Sequence, residues 1–200
     1  MRVGVVGTGY VGLVTGTCFA EMGNQVTCVD IDPAKVDSMN QGNVPIYEPG
    51  LDELFARNRK EGRLSFTTDL AKGVVGQEVV FLALPTPPEE DGSADLSYVL
   101  GAAGDIGKLL ADYTVIVNKS TVPVGTSKRT TAELSKHADR SLFDVVSNPE
   151  FLREGRAVRD FMEPDRVVIG STTDRAQKVM DRLYEQFVRS GNPILHMSPE

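Results

Sequence analysis

A glycine pattern follows a short apolar run near the N-terminus and limits the folds that this chain can adopt. Gly7-Thr8-Gly9-Tyr10-Val11-Gly12 comes directly after apolar residues 3–6 and before residues with helical spacing. In such a strand–loop–helix unit the first glycine permits a tight turn, the second lets the backbone approach a pyrophosphate, and the third lets helix and strand pack closely. Free N–H groups at the helix start favour phosphate. The pattern predicts a dinucleotide contact by Gly7, Gly9, Tyr10, Val11 and Gly12.

A carboxylate follows the second apolar run, about twenty residues after the glycine loop, as a ribose contact requires. This residue is Asp30, and its side chain can accept hydrogen bonds from both adenosine hydroxyls. It would repel a 2′-phosphate, and Ile31 offers no compensating arginine, so we predict NAD rather than NADP. Lys35, one turn into the next helix, is either a solvated surface lysine or a contact to the adenosine side of NAD. The alternative is a glycine-rich turn and a helix-capping Asp in a fold that binds no nucleotide.

Short β-branched apolar runs alternate with helical patterns along the whole chain. Such continuous apolar runs are typical of strands buried on both faces of a parallel sheet. We predict strands at 3–6, 26–29, 79–84, 113–117, 143–146, 167–169 and 194–197, and helices near 11–22, 33–40, 50–60, 98–111, 125–137 and 173–189. The alternation indicates an α/β fold of the Rossmann type, with a doubly wound, mostly parallel sheet and flanking helices. Residues 1–200 form one predicted dinucleotide-binding domain.

Composition narrows the partners. The net charge of −7 argues against nucleic acid, because phosphate backbones attract basic surfaces. The sequence contains no run of about 18 apolar residues, the length that a membrane-spanning helix requires. Two cysteines, Cys18 and Cys28, make no disulfide framework, so a cytoplasmic location is the simplest expectation. Both read as small core residues. No His, Cys or acidic cluster has the spacing of metal ligands, so we predict no metal.

Several segments in order resemble one family over the whole length of the chain. They are Pro45–Leu51, Pro85-Thr86-Pro87 with Gly92–Leu96, Lys119–Thr126, Ser147–Gly155 and Pro164–Gly170. These segments resemble the UDP-glucose/GDP-mannose dehydrogenase family. The forms of Ile46-Tyr47-Glu48-Pro49 and Ser120-Thr121-Val122-Pro123 favour its UDP-glucose branch over the GDP-mannose and UDP-N-acetyl-sugar branches.

The resemblance implies a reaction. Enzymes of this family oxidise the sugar C6 alcohol to an acid with two NAD in succession, and a cysteine captures the intermediate aldehyde. That cysteine and an active-site lysine would lie beyond Glu200, with a central helix and a C-terminal UDP-binding domain. We therefore expect residues 1–200 to be the N-terminal part of a longer, homodimeric enzyme and to be inactive alone. An alternative function, outside the enzymes, is that of a non-catalytic module that binds NAD.

Two hydroxyl-bearing segments follow the predicted strands at 79–84 and 113–117. Thr86 and Pro87 could simply end a strand with a rigid loop, whereas the resemblance implies a cofactor contact. Ser120 and Thr121 could cap the 125–137 helix. The resemblance instead implies that both contact NAD and that Thr121 lies beside the nicotinamide and a catalytic water. A hydroxyl can hold such a water but is a poor base.

The segment after the fifth run contains two acids four residues apart, Glu150 and Glu154. If Asn148-Pro149 starts a helical turn, they share a face. The alternative is that they only favour a helix N-terminus. The resemblance implies that both are catalytic through the water, that Glu154 also contacts NAD, and that the substrate lies along Glu150, Phe151, Leu152, Arg153 and Glu154. Lys119 reads as a strand-end lysine without assigned chemistry.

Overall fold

The computed structural model describes residues 1–188 and 191–199, which contain one eight-stranded sheet. The strand order is β3-β2-β1-β4-β5-β6-β7-β8, and every neighbouring pair is parallel except β6 and β7. The strands are β1 (Arg2–Val6), β2 (Gln25–Val29), β3 (Leu64–Thr67), β4 (Val79–Leu82), β5 (Thr114–Asn118), β6 (Phe143–Ser147), β7 (Val167–Gly170) and β8 (Ile194–Met197). The reversal of strand order at β1 and β4 creates the crevice where α/β sheets bind nucleotides.

Helices connect these strands in the order that parallel crossovers require. They are α1 (Tyr10–Glu21), α2 (Pro33–Asn40), α3 (Leu51–Lys60), α4 (Leu70–Val74), α5 (Ser97–Gly107), α6 (Thr126–Leu134), α7 (Ala157–Met162) and α8 (Asp174–Tyr184). A single 3₁₀ turn, Arg140–Leu142, precedes β6. Among residues 1–188 and 191–199, every helix is too short or too polar to span a lipid bilayer.

Side chains alternate between two apolar cores, one on each face of the sheet. In β4, Val79 and Phe81 face the core that contains residues of α1, α2, α3, α7 and α8, whereas Val80 and Leu82 face the core of α4, α5 and α6. This alternation follows from the two-residue period of a strand. Burial on both faces explains why the central strands are apolar throughout.

The predicted fold class is confirmed, but three elements were missed. The strand β3 lies at the sheet edge and is buried on one face only, so it alternates as Leu64-Ser65-Phe66-Thr67 rather than forming a continuous apolar run. Helices α4 and α7 have five and six residues. Such short helices contain too few turns for a hydrophobic period to be recognised.

Some predicted boundaries were too long. The 98–111 helix ends at Gly107, where a side chain would lie 3.0 Å from the Leu134 carbonyl oxygen, so α5 and α6 approach closely there. The 173–189 helix ends at Tyr184, and its predicted last residue lies outside the described residues. The 79–84 strand ends at Leu82.

Candidate cofactor and active site

The carboxyl ends of five parallel strands bring the predicted site segments to one edge of the sheet. The glycine loop follows β1, Asp30 follows β2, the Thr86 segment follows β4, Ser120 and Thr121 follow β5, and the Glu150 segment follows β6. Adjacent parallel pairing of β2, β1, β4, β5 and β6 places these segments side by side. This is the edge at which open α/β sheets bind their ligands.

The glycine loop has the shape that the sequence predicts. Gly7 has φ of 98°, and a side chain there would lie 2.4 Å from the Ala83 carbonyl oxygen. A side chain at Gly12 would lie 1.9 Å from the Gly7 carbonyl oxygen, so the helix packs directly on the loop. A side chain added at Gly9 would find no atom within 4 Å of its Cβ. Gly9 is the N-cap residue of α1, and no side chain caps this helix start. The open backbone and uncapped helix start fit a pyrophosphate.

Asp30 is held as a carboxylate at the end of β2. Its Oδ2 accepts hydrogen bonds from the Thr8 backbone N–H at 3.1 Å, from the Thr8 hydroxyl and from Lys35 Nζ at 2.9 Å. Its Oδ1 accepts from the Asp32 N–H at 3.2 Å. Burial alone would raise the pKa of Asp30, but the bonds from Thr8 and Lys35 outweigh it and lower the pKa to about 2.

Lys35 proves to be neither free in solvent nor separate from the acid. Its ammonium forms an ion pair with Asp30, and the two side chains are 27% and 13% exposed. Oδ2 of Asp30 accepts three hydrogen bonds and Oδ1 accepts one, so Oδ1 is the less occupied oxygen. Ile31 beside it is 91% exposed, so the adjacent surface is apolar and open.

The segments after β4 and β5 are bonded to each other. The Thr86 hydroxyl donates to the Thr121 carbonyl oxygen at 3.0 Å, and the Ser120 hydroxyl donates to the Leu84 carbonyl oxygen at 2.6 Å. Helix α6 begins at Thr126, its N-cap residue is Gly125, and no side chain caps it. The capping alternative for Ser120 and Thr121 is therefore wrong. Thr121 and Pro87 lie exposed on this edge.

The prediction that Glu150 and Glu154 share a helical face is wrong. Residues 148–153 have no regular structure, a turn covers 154–156, and α7 begins only at Ala157. Pro149 therefore does not start a helix. The Glu150 carboxylate accepts from the Leu152 N–H at 2.6 Å, and Glu154 is exposed on the turn.

Two neighbouring clefts are lined by some of the predicted residues, whereas Glu154, Thr86, Asp30 and the glycine loop line neither of them. One of about 180 Å³ is lined by Glu150, Phe151, Leu152, Arg153, Lys119 and Arg166, among others, and the other of about 260 Å³ by Ser120 and Thr121. Pro149 lines both. The Arg166 guanidinium lies 4.7 Å from the centre of the half-exposed Phe151 ring, and Arg153 pairs with Asp160 at 2.7 Å. The first cleft thus has an aromatic surface beside groups of both charges, because the acids Glu150, Asp160, Glu163 and Asp165 line it as well.

Lys119 lines the first cleft, although the sequence analysis assigned it no chemistry. Lys119 is only 4% exposed. Its Nζ lies 3.2 Å from Asn148 Oδ1 and 3.5 Å from the Tyr184 hydroxyl oxygen. The ammonium also lies over the Phe161 ring. Burial lowers the pKa of Lys119 to about 8, although the nearby Glu150 carboxylate opposes the shift. Sequence gave no signal for this, because the burying residues come from segments 29 to 65 positions away.

Glu48 is a second residue without an assigned role. It lies in the segment Ile46-Tyr47-Glu48-Pro49, which carried part of the resemblance, and its side chain is 3% exposed. Burial of an acid in a loop cannot be read from sequence, so the position of Glu48 within this matching segment was the available signal. Across residues 1–188 and 191–199, no group of three or more His, Cys, Asp or Glu side chains is arranged to bind a metal ion.

Comparison with known proteins identifies a matching family and close relatives. Residues 1–188 match the family described as the UDP-glucose/GDP-mannose dehydrogenase family, NAD binding domain. The UDP-glucose 6-dehydrogenase TuaD of Bacillus subtilis is 50% identical over 93% of this chain and 41% of its own length. The UDP-glucose 6-dehydrogenase of Pseudomonas aeruginosa is 49% identical over 98% of this chain and 44% of its own length. The chain therefore spans less than half the length of these relatives.

Solved structures agree with the sequence comparison. A UDP-glucose dehydrogenase from Pyrobaculum islandicum superposes with a TM-score of 0.93 at 40% identity, covering 99% of this chain and 46% of that protein. A GDP-mannose dehydrogenase from Pseudomonas aeruginosa, solved as a ternary complex, gives 0.95 at 34% identity, covering 100% of this chain and 47% of that protein. Both matches cover this chain almost entirely and leave the other half of each neighbour unmatched.

Proposed function

Since the chain belongs to the UDP-glucose/GDP-mannose dehydrogenase family and contains its NAD-binding domain, we propose that it forms the cofactor half of a UDP-glucose 6-dehydrogenase. The reaction converts the C6 alcohol of UDP-glucose to the carboxylate of UDP-glucuronate, and water supplies the second oxygen. NAD accepts one hydride in each of two successive oxidations. The observation that best supports this proposal is that the glycine loop, Asp30, Thr121 and the Glu150 segment lie at one edge of the sheet.

The residues divide into those that hold cofactor and those that act on substrate. The open Gly9 backbone and the start of α1 hold the pyrophosphate, and Asp30 holds the adenosine ribose. Thr86, Pro87, Ser120 and Thr121 would lie along the nicotinamide half, because they follow the next two strands across the sheet. Ser120 acts through loop shape, since its hydroxyl is already bonded to a backbone carbonyl.

Proton handling falls to three side chains. Thr121 and Glu154 are exposed, so each can bind a water beside the reacting carbon. Glu150 lies in the cleft where Phe151, Leu152 and Arg153 would contact the sugar nucleotide. A carboxylate there can orient the water and accept its proton. The ordering of these groups along one edge supports general acid–base work on a C6 alcohol and aldehyde.

The nucleophile of the second oxidation would come from outside these 200 residues. Cys18 and Cys28 are both 0% exposed. Burial raises the pKa of Cys18, and it raises the pKa of Cys28 to about 12, so neither thiol ionises readily. An active cysteine must be accessible and ionised. Relatives more than twice as long have room to supply it.

A second candidate substrate is GDP-mannose. The observation that favours it is the TM-score of 0.95 to a GDP-mannose dehydrogenase, as high as the 0.93 to a UDP-glucose dehydrogenase. Sequence identity near 50% to UDP-glucose enzymes favours the first candidate. A non-catalytic NAD-binding module is disfavoured, because such a module has no need of Thr121, Glu150 and Glu154 at the same edge as the cofactor loop.

The experiment compares the 200-residue chain with the full-length protein. NADH absorbance is followed with excess NAD and UDP-glucose, GDP-mannose or a UDP-N-acetyl-sugar. We expect the full-length protein to reduce two NAD per UDP-glucose, and the 200-residue chain to bind NAD without forming the acid. NADH formation by the short chain that disappears in a Cys18→Ser, Cys28→Ser variant would mean that we have misplaced the nucleophile. NADH formation that persists would require a thiol-free second step.

Two broader features complete the proposal. The full-length protein would act as a homodimer in the cytoplasm, where its thiols stay reduced. The two free, buried cysteines of the described region are consistent with such a compartment. Light scattering of the full-length protein at micromolar concentration would give the oligomeric state, and a monomeric mass would remove the dimer from the proposal.

A further inference from the structure

Glu48 presents a buried carboxylate whose partners come from two distant parts of the chain. Its Oε2 accepts a hydrogen bond from the Tyr10 hydroxyl and another from the Gly155 N–H at 2.8 Å. Its Oε1 accepts from the Ala157 N–H at 2.8 Å. These donors lie 38 residues before Glu48 and 107 and 109 residues after it. One carboxylate thus bonds the start of α1 to the segment that leads into α7.

The two backbone bonds determine the course of the turn that carries Glu154. Gly155 has φ of 81°, and α7 begins after Arg156 without a side-chain cap from its own segment. Glu48 supplies the missing acceptor from across the fold. Glu154 directly precedes Gly155, so its direction depends on the backbone geometry that Glu48 holds.

The hydrogen bond from the Tyr10 hydroxyl to Glu48 connects this turn to the cofactor loop. Tyr10 is the first residue of α1, directly after the Gly9 backbone that we assign to the pyrophosphate. Burial raises the pKa of the Tyr10 phenol, and so does its bond to the Glu48 carboxylate, so the phenol remains a donor. Glu48 therefore fixes the position of the Glu154 turn relative to the loop that would hold NAD.

We propose that Glu48 is a positioning residue for Glu154: it holds the 154–156 turn against the cofactor loop so that the Glu154 carboxylate meets the reacting centre. This inference rests on the proposed dehydrogenase function. Glu48 itself is buried and does not touch the reacting atoms. Small misplacements of a catalytic group lower turnover by large factors, on the order of a hundredfold for about 1 Å.

The substitution that separates positioning from bulk is Glu48→Gln. The amide keeps the size of the side chain, but its NH₂ group faces the Gly155 N–H or the Ala157 N–H, so one acceptor is lost. In the full-length protein we expect kcat to fall by about tenfold or more, with the KM for NAD and for the sugar nucleotide changed less than about threefold.

A double-mutant cycle with Glu154→Gln shows whether Glu48 acts through that residue. We expect Glu48→Gln to lower kcat in the wild-type background and to have almost no further effect once Glu154 is replaced. A matched control is Asp144→Asn, which alters another buried carboxylate bonded to a tyrosine, away from this edge. The control should lower the thermal midpoint and leave kcat unchanged.

Amide hydrogen exchange on the 200-residue chain gives a readout that needs no turnover. We expect Glu48→Gln to lose protection at Gly155 and Ala157 while the central strands keep theirs. Unchanged protection, an unchanged kcat, or an equal loss of kcat in both Glu154 backgrounds would each overturn the positioning role. A wild-type enzyme that oxidises only GDP-mannose would refute the proposed substrate instead, and the cycle would then be run with that sugar.

Discussion

Two tyrosine–carboxylate pairs in this molecule have similar chemistry and different surroundings. Tyr10 donates to Glu48 beside the cofactor loop, and Tyr113 donates to Asp144 at 2.8 Å near the start of β6. Both carboxylates are nearly inaccessible, at 3% and 2% exposure. The first lies with the carboxyl-edge segments, whereas the second lies toward the amino ends of the strands.

The partners of the two carboxylates differ in charge. Asp144 Oδ2 also accepts from Arg175 Nε at 2.6 Å and from the Thr173 hydroxyl at 2.8 Å, and Arg140 lies 3.3 Å from Oδ1. Burial alone would raise the pKa of Asp144, but these donors lower it. Glu48 receives two backbone N–H groups instead. A charge balanced by arginines anchors helix to strand, whereas one shared among backbone donors shapes a turn.

The largest expected effect concerns Thr121 and Glu154, at the carboxyl edge. In the full-length protein, Thr121→Ala and Glu154→Gln should each lower kcat by about a hundredfold, as loss of a proton-handling group does. Both side chains are exposed and neither caps a helix, so thermal midpoints should stay nearly fixed. Steady-state kinetics and thermal melts test this. Early unfolding with normal turnover would turn both residues into structural ones.

The next effect concerns cofactor affinity. Asp30→Ala should weaken NAD binding at least tenfold, because hydrogen bonds to a charged acceptor contribute about 1.5–3 kcal/mol each. Calorimetric titration of the 200-residue chain measures this, with NADP titrated in parallel. Asp144→Asn is the control and should bind NAD as the wild type does. Equal affinity of the unmodified chain for the two cofactors would remove the role assigned to Asp30.

Replacing Asp144 is expected to change stability rather than NAD binding or turnover. Asp144→Asn should lower stability by about 2 kcal/mol through the lost charged hydrogen bonds, or roughly 4–8 °C in midpoint for a chain of this size. The folded pKa lies below the unfolded value of about 3.9. The stabilisation is therefore complete above pH of about 4 and is lost as pH falls through the folded pKa. Melts at pH 7 and pH 3 should show the wild-type advantage shrinking.

The smallest effect is expected at Lys35. Its ion pair with Asp30 is partly exposed, and such pairs contribute roughly 0.5 kcal/mol. Lys35→Met removes only this weak support of the Asp30 carboxylate, so it should weaken NAD binding by no more than about two- to threefold, and raising the salt concentration should narrow the difference. A loss as large as that of Asp30→Ala would instead make Lys35 a direct and essential cofactor contact.

Sequence was a good guide wherever the signal was local. The continuous apolar strands, the glycine loop and Asp30 lie within short windows, and each has the predicted place in the sheet. The edge strand Leu64–Thr67 was missed because burial on one face gives an alternating pattern only four residues long. The helical turn considered at Glu150 does not form, because Pro149 is compatible with irregular backbone as well as with the first turn of a helix.

The doubly wound sheet and the cofactor loop follow from local sequence, because strand periodicity and closely packed glycines specify them. The surroundings of Lys119 and Glu48 depend instead on how distant segments pack together. The ammonium of Lys119 meets Asn148 and Tyr184, and the carboxylate of Glu48 meets donors more than a hundred residues away. Burial and hydrogen bonding of that kind depend on which segments meet across the fold, and no local pattern records them.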